Sequence, residues 1–256
     1  MRPVRLVVQG DDFGMCHAVN VGTVAAFVDG ILTQASTMVP CPWFDEAAAL
    51  AREHRLPLGI HQTLTCEWDH LRWRPLTAGP SLVGPDGTFH RTVADARDAI
   101  DRDDAIIEIE AQTERFLAAG LDLTYYDVHM GVIAPEAYEV VAERRRVPFL
   151  YPGIPASLTF GSIRMLSERP AAVKKEWMLR YLERRAAEPG LHLLVAHCAV
   201  AGDEIGSITR ADSAVFPWAE EYRVSDLAVL TDPEVRAAVD DLGIELTTVR
   251  DAFAVA

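Results

Sequence analysis

The chain alternates short apolar runs with amphipathic stretches along most of its length. Arg5 to Gln9 is a β-rich apolar run, and Ala18 to Phe27 reads as a helix stopped by Asp29-Gly30. Ile31 to Val39 predicts a second strand closed by Pro40 and Pro42, Phe44 to His54 an alanine-rich helix, and Leu56 to Leu64 a third strand. Strands and helices alternating with short joints are the pattern of a parallel sheet with crossover helices.

The rhythm breaks between Cys66 and Arg91, a segment that holds Trp68, Trp73, Pro75, Pro80 and the turn signal Pro85-Asp86-Gly87. It is too long for a plain βα joint and predicts a substrate-side loop at 66–91. Thr92 to Ala119 then reads as one long amphipathic helix, with Asp101-Arg102-Asp103-Asp104 on its solvated face. Leu121 to Val128 is a strand, Pro135 to Arg145 a helix and Val147 to Tyr151 a short strand. Pro152 to Pro170 reads as loop, Ala171 to Glu188 as helix and Leu191 to Ala196 as an apolar strand. Ala201 to Ser225 is polar and irregular, with room for a short helix around Trp218; Glu234 to Leu242 and Ile244 to Val249 supply the last helix and strand.

About seven strand–helix units, with no repeat and no linker-like composition, predict a single α/β domain over residues 1–256. The expected architecture is a distorted TIM-like (β/α) barrel, and single barrels of about 250 residues are common. An open doubly wound sheet is the alternative, because periodicity does not show closure.

Composition narrows the function. Half of the 256 residues are hydrophobic, enough for a large core. A formal charge of −14 disfavours nucleic acid and anionic membrane surfaces as partners. Cys16, Cys41, Cys66 and Cys198 form no C-x-x-C pair, so a reduced thiol set is expected. Asp11 comes too early for a signal peptide, and no stretch approaches the roughly 20 apolar residues of a membrane span. A soluble, cytoplasmic protein is the expectation.

Four apolar runs end in acids or imidazoles: Asp11-Asp12-Phe13-Gly14, Gly59-Ile60-His61, Asp127-Val128-His129 and Ala196-His197. The carboxyl ends of parallel strands carry the active site in such domains. Asp and His are what a divalent ion takes when no thiolate is involved, so the set predicts a metal-dependent hydrolase. Adjacent acids face opposite sides of a strand, so Asp11 and Asp12 serve one site only if the backbone bends, which Gly14 permits. The blander alternative makes Asp12 a helix cap and Asp11 solvated. Asp127 and His129 share one face, as two ligands or as a ligand with its orienting carboxylate. His197 fits an acid, a ligand or a substrate contact; His192 lies on the other face. Cys198 reads as a buried thiol, and His17, His54, His70 and His90 as solvated. Trp68 and Trp73 either stack on a sugar or pack the loop down.

Gly10-Asp11-Asp12-Phe13-Gly14 with Asn20 resembles the opening signature of the YdjC-like carbohydrate deacetylases, which include chitooligosaccharide deacetylases and a hopanoid-biosynthesis branch. Ser36 to Pro40, Gly59 to Thr65 and Asp127 to His129 follow in the order of that family's further blocks. The resemblance implies a deacetylase on a distorted barrel, with one divalent ion (Mg²⁺ or Zn²⁺) held by Asp12, His61 and His129. It makes Asp11 the catalytic base and the substrate an acetylated sugar. His197 matches a block where the family has His-Pro, with Cys198 here in place of the proline. Gly131 stands where a second histidine is frequent, and the family's arginine near the following short strand has no obvious counterpart around Phe149-Leu150-Tyr151.

On this reading Asp127, Trp68 and Trp73 support the ligands or the substrate, and His197 is a candidate acid. A homodimer is compatible with the sequence. Rival readings are another metal hydrolase such as a phosphoesterase, a catalytically inactive sugar-binding protein, and a glycosidase using Asp11 and Asp127.

Overall fold

The computed structural model describes residues 3–131, 133–150, 158–208, 213 and 219–254. Seven strands form the sheet: β1 (Val4–Phe13), β2 (Gln34–Thr37), β3 (Leu58–Gln62), β4 (Tyr126–Val128), β5 (Ser162–Met165), β6 (Gly190–Ala196) and β7 (Glu245–Leu246). The helices are α1 (His17–Val28), α2 (Phe44–His54), α3 (Val93–Ala99), α4 (Arg102–Ala118), α5 (Pro135–Arg145), α6 (Ala171–Ala186), α7 (Asp203–Ser207), α8 (Ala219–Leu230), α9 (Pro233–Asp241) and α10 (Val249–Ala254).

All the ladders are parallel, and the strand order is β4-β3-β2-β1-β6-β5, with β7 on the start of β1. That order is cyclic, running from late strands through β1 into early ones without the reversal of a doubly wound sheet. Beyond β4 the sheet continues through Phe149 and Leu150 towards Leu158, which precedes β5. Leu150 N–H donates to Tyr126 O at 2.9 Å, and Leu158 N–H donates to Phe149 O at 3.1 Å. The sheet is therefore curled into a distorted barrel.

Side chains alternate across this wall. Leu6 and Val8 of β1 pack outward with helix residues such as Leu182, Leu230 and Val239. Val7 packs with Leu193, Val195, Tyr125 and Val249 in a separate cluster inside the curl. Gly59 makes room for that plug: a Cβ there would lie 2.3 Å from the Tyr125 ring, whose hydroxyl donates to Ala35 O at 2.7 Å. Above the plug the same inward positions become polar. Gln9 and Asp11 follow Val7, and Gln34 and Ser36 face them from β2.

The expected long helix over Thr92 to Ala119 is two helices. Thr92 caps α3 by accepting from Asp95 N–H, and Asp101 starts α4 by accepting from Asp103 N–H. The charge cluster is largely exposed, as expected, and its first residue also caps a helix. Within the stretch Pro152 to Pro170, expected to be loop, Ser162–Met165 is strand β5 on β6. Three of its four side chains are only partly buried or exposed, which blurs the apolar signature. Val147 to Tyr151 reduces to a bridge at Phe149 among the described residues, and Ile244 to Val249 to the two residues of β7. The irregular stretch Ala201 to Ser225 holds α7 and the start of α8, while Trp218 lies outside the described residues. No helix among the described residues is long and apolar enough to cross a membrane.

Candidate active site

Asp12 sits at the end of β1 with φ +66°, in the left-handed region that costs a non-glycine residue roughly 1–3 kcal/mol. The ladder with β2 shifts register between Gly10 and Phe13, so one extra residue is accommodated there. This bulge turns both adjacent carboxylates to one side: Asp11 and Asp12 line the same cavity of about 360 Å³. The bend lies at Asp12 itself, and Gly14, at φ +96°, continues it. Asn20 secures the turn by accepting from Gly14 N–H at 2.7 Å.

Two imidazoles converge on Asp12. His61 Nε2 lies 3.4 Å and His129 Nδ1 3.2 Å from Asp12 Oδ1. These three donor atoms all fall within 4.8 Å of one another, and all three residues are buried. Asp12 Oδ1 has no hydrogen-bond partner among the described residues. A buried carboxylate oxygen without a hydrogen-bond donor, beside two imidazole nitrogens, is a donor set of the kind that divalent ions take. The residues present therefore fit a divalent ion.

Each histidine meets a carboxylate with its other nitrogen. His129 Nε2 is 3.0 Å from both Glu67 oxygens, and His61 Nδ1 is 3.2 Å from Asp127 Oδ2. Such carboxylates fix ring orientation and raise ligand basicity. Glu67 lies in the loop after β3, where no periodicity points to it. The same loop buries both tryptophans. Trp73 donates its indole N–H to Thr65 O at 2.9 Å and packs edge-on to His129, while Trp68 borders the cavity beneath the Arg223 guanidinium.

Asp11 Oδ1 accepts from Gln9 Nε2 at 2.8 Å and from Ser36 Oγ at 2.9 Å. The same Gln9 amide donates to Asp127 Oδ2 at 2.8 Å and accepts from Gln34 Nε2. Gln9 and Asp11 are two apart on one strand, so a period-2 reading of β1 would have found this support. Asp127 also accepts from Val128 N–H, and through the shared Gln9 amide it is linked to Asp11.

α8 contributes what the sequence did not expose. Its buried residues are Ala219, Arg223, Asp226, Val229 and Leu230, and two of these five are charged. Arg223 donates to Asp12 Oδ2 at 2.6 Å; Asp226 accepts from His197 N–H at 2.8 Å and from Ser167. A guanidinium is thus present near the acid pair, supplied by α8. His197 borders the cavity with Nε2 4.0 Å from Asp12 Oδ2. His192 is buried elsewhere, between Ser162 and Glu188 O. Gly131 lines the cavity at φ +129°, a conformation that favours glycine over the histidine frequent there in the resembling family.

Electrostatics separate the two acids. Burial pushes Asp11 up to about 7, and the Asp127 charge adds to the shift. Burial acts on Asp12 in the same sense, but Arg223, His129 and His61 outweigh it and hold the group well below the usual carboxylate range. Burial opposes the His129 cation, yet Glu67 and Asp12 raise it to about 9; His61 is raised by Asp11, Asp12 and Asp127. His197 goes the other way, down to about 3, through burial and the neighbouring cations.

Comparison with known proteins follows this geometry. A carbohydrate deacetylase of Geobacillus stearothermophilus is 31% identical over 98% of this chain and 99% of its own. A chitooligosaccharide deacetylase of Yersinia pestis is 28% identical over 96% and 98%. A crystal structure from Enterococcus faecalis V583, provisionally named a cellobiose-phosphate cleavage protein, superposes with a TM-score of 0.83 at 22% identity, covering 98% of this chain and 99% of that one. The family model described as YdjC-like protein matches residues 5–241, and the chain belongs to that family.

Proposed function

We propose that this protein is a metal-dependent carbohydrate N-deacetylase, removing the acetyl group from an N-acetylated sugar. The observation that carries the reading is the orphaned Asp12 Oδ1 between His61 Nε2 and His129 Nδ1, with Asp11 on the same cavity wall. Relatives named carbohydrate deacetylase over nearly the whole chain supply the substrate class.

Asp12, His61 and His129 would hold the ion, and two imidazoles with one carboxylate suit Zn²⁺ better than Mg²⁺. When bound, the ion supplies Lewis acidity towards water and the acetyl carbonyl. Asp11 takes the proton of the attacking water, a role worth roughly 10²–10⁴-fold. Its raised affinity for a proton suits it to hold that proton near neutral pH. As the C–N bond breaks, the proton passes to the amine nitrogen and acetate leaves. His197, across the cavity, is the second group able to exchange a proton there. Gln9 and Ser36 fix the Asp11 carboxylate, and Asp127, linked to Asp11 through the shared Gln9 amide, braces His61. Tyr222 gives the cavity a flat apolar wall for a sugar ring, while Trp68, buried beneath Arg223, packs the loop down.

The test is acetate release from N,N′-diacetylchitobiose and a panel of N-acetylated monosaccharides, with and without EDTA and with Zn²⁺ or Mg²⁺ returned. Chelator-sensitive acetate release is expected. Phosphate release from sugar phosphates in place of acetate, or sugar cleavage insensitive to EDTA, would overturn the reading.

A further inference from the structure

Two methionines stand at the mouth of the cavity with their side chains reaching solvent. Met130 is 40% and Met165 37% exposed, and both line the cavity that Asp11, Asp12 and His61 border, whereas Met15, Met38 and Met178 are buried. Each reaches the cavity by a different device. Met165 ends β5 two residues after Ile163, which packs against the plug inside the curl, so the period of two carries Met165 inward above it. Met130 follows β4, where Asp127 and His129 share the inward face and a straight strand would turn the next side chain outward. Its φ of +61° brings it onto the cavity instead, the same conformation that Asp12 adopts at the end of β1. A long side chain in the left-handed region is strained, and an exposed one gains nothing from the core. Polar partners are scarce beside it. Ser167 is engaged with Asp226 and His197, and Glu168 accepts from Arg169 at 3.1 Å. A thioether accepts hydrogen bonds only weakly. A sugar hydroxyl laid on Met130 and Met165 would leave water for no equal partner, while an apolar group there takes apolar surface out of water on both sides.

We infer that Met130 and Met165 are specificity-determining residues that receive an apolar aglycone. The preferred substrate is then an acetylated amino sugar with a hydrocarbon group, not a further sugar, on its anomeric oxygen. The cavity of about 360 Å³ lies at the small end of the roughly 300–1,000 Å³ of ligand sites, so it takes about one sugar ring with its acetamide. Whatever the ring carries lies over the mouth. In a 2-acetamido sugar the anomeric carbon adjoins the carbon that bears the nitrogen, and Met130 directly follows His129 in the chain. A group on the anomeric oxygen therefore leaves the reacting centre beside the methionines, whose unbranched chains adapt to irregular apolar shapes. The sugar and the acetamide in this assignment rest on the deacetylase reading; the apolar mouth does not.

The experiment compares acetate release by the full chain, supplied with Zn²⁺ or Mg²⁺, from the methyl and hexyl β-glycosides of N-acetylglucosamine and from N,N′-diacetylchitobiose. kcat/KM should be about tenfold or more higher on the hexyl than on the methyl glycoside, with N,N′-diacetylchitobiose no better than the methyl glycoside. Met165→Gln should bring the hexyl-to-methyl ratio towards one. Met130→Gly should do the same while its urea midpoint equals or exceeds that of wild type, because glycine takes φ +61° without strain. A wild-type ratio near one, a preference for N,N′-diacetylchitobiose over the hexyl glycoside, or a wild-type ratio surviving in the Met130→Gly, Met165→Gln double variant overturns the assignment. Calorimetric binding of the two glycosides to the EDTA-treated chain reads the mouth without turnover, and the hexyl glycoside should bind about tenfold tighter. Equal affinities overturn the apolar subsite whatever the turnover. Tighter hexyl binding with no acetate from any of the three substrates fails the deacetylase reading and leaves the apolar subsite standing.

Discussion

Arg223 reaches across 211 residues of sequence to hold Asp12 Oδ2 at 2.6 Å, with both side chains buried. The contact divides the labour of one carboxylate: Oδ2 belongs to the guanidinium, and Oδ1 is left facing His61 and His129. Breaking a buried pair by removing one partner leaves an uncompensated charge. Arg223→Met is expected to destabilise the fold by about 3–5 kcal/mol, read as a lowered urea midpoint. A midpoint within error of wild type would show that Asp12 does not depend on Arg223.

The two acids of the bulge should separate by experiment. Asp11→Asn should retain bound metal, measured by plasma mass spectrometry, while kcat falls roughly 10²–10⁴-fold. His61→Ala should lose the metal itself. Wild-type acetate release by either variant would remove the corresponding role.

Glu67 touches His129 on the side away from Asp12. Glu67→Gln should weaken metal affinity by about 10–100-fold, the usual cost of losing a carboxylate behind a histidine ligand. Saturating metal should recover most of the lost activity. A variant with unchanged affinity would make Glu67 a loop anchor only.

Protons and metal compete for the same ring nitrogens. His129 is raised to about 9, so below that pH it carries a proton that the ion must displace. Apparent metal affinity should therefore fall as pH falls from about 9, with proton release on binding. Calorimetry in buffers of different ionisation enthalpy measures that release directly; equal heats in all buffers would contradict it.

The four cysteines are all buried, and burial pushes Cys16 up to about 11 and Cys66 to about 12. Cys41 and Cys198 are likewise held well above the usual thiol range by burial. At about pH 8 the folded protein should react slowly with DTNB, and all four thiols should react once it is unfolded in guanidinium. Rapid labelling of the folded chain would show that one of these sites opens.

Local chemistry written along the chain determined the alternation of strands and helices, the parallel sheet and the polar strand ends at Asp11, Asp12, His61, Asp127, His129 and His197. Each of those signals lives within a few residues: an apolar run, a period of two, a stop. Tertiary structure decided the rest. The cyclic strand order is a property of pairings between distant segments, and the bend that lets Asp11 and Asp12 share a cavity lies at Asp12 itself, where the backbone turns left-handed. Glu67, in an aperiodic loop, meets His129 only because that loop folds back over the rim. Arg223, Asp226 and Ser167 become part of the site because α8 and the segment after β5 pack against the end of β1 and β6. Long-range contacts of buried charge leave no local period in a sequence, whereas the strands that present the acids and imidazoles do.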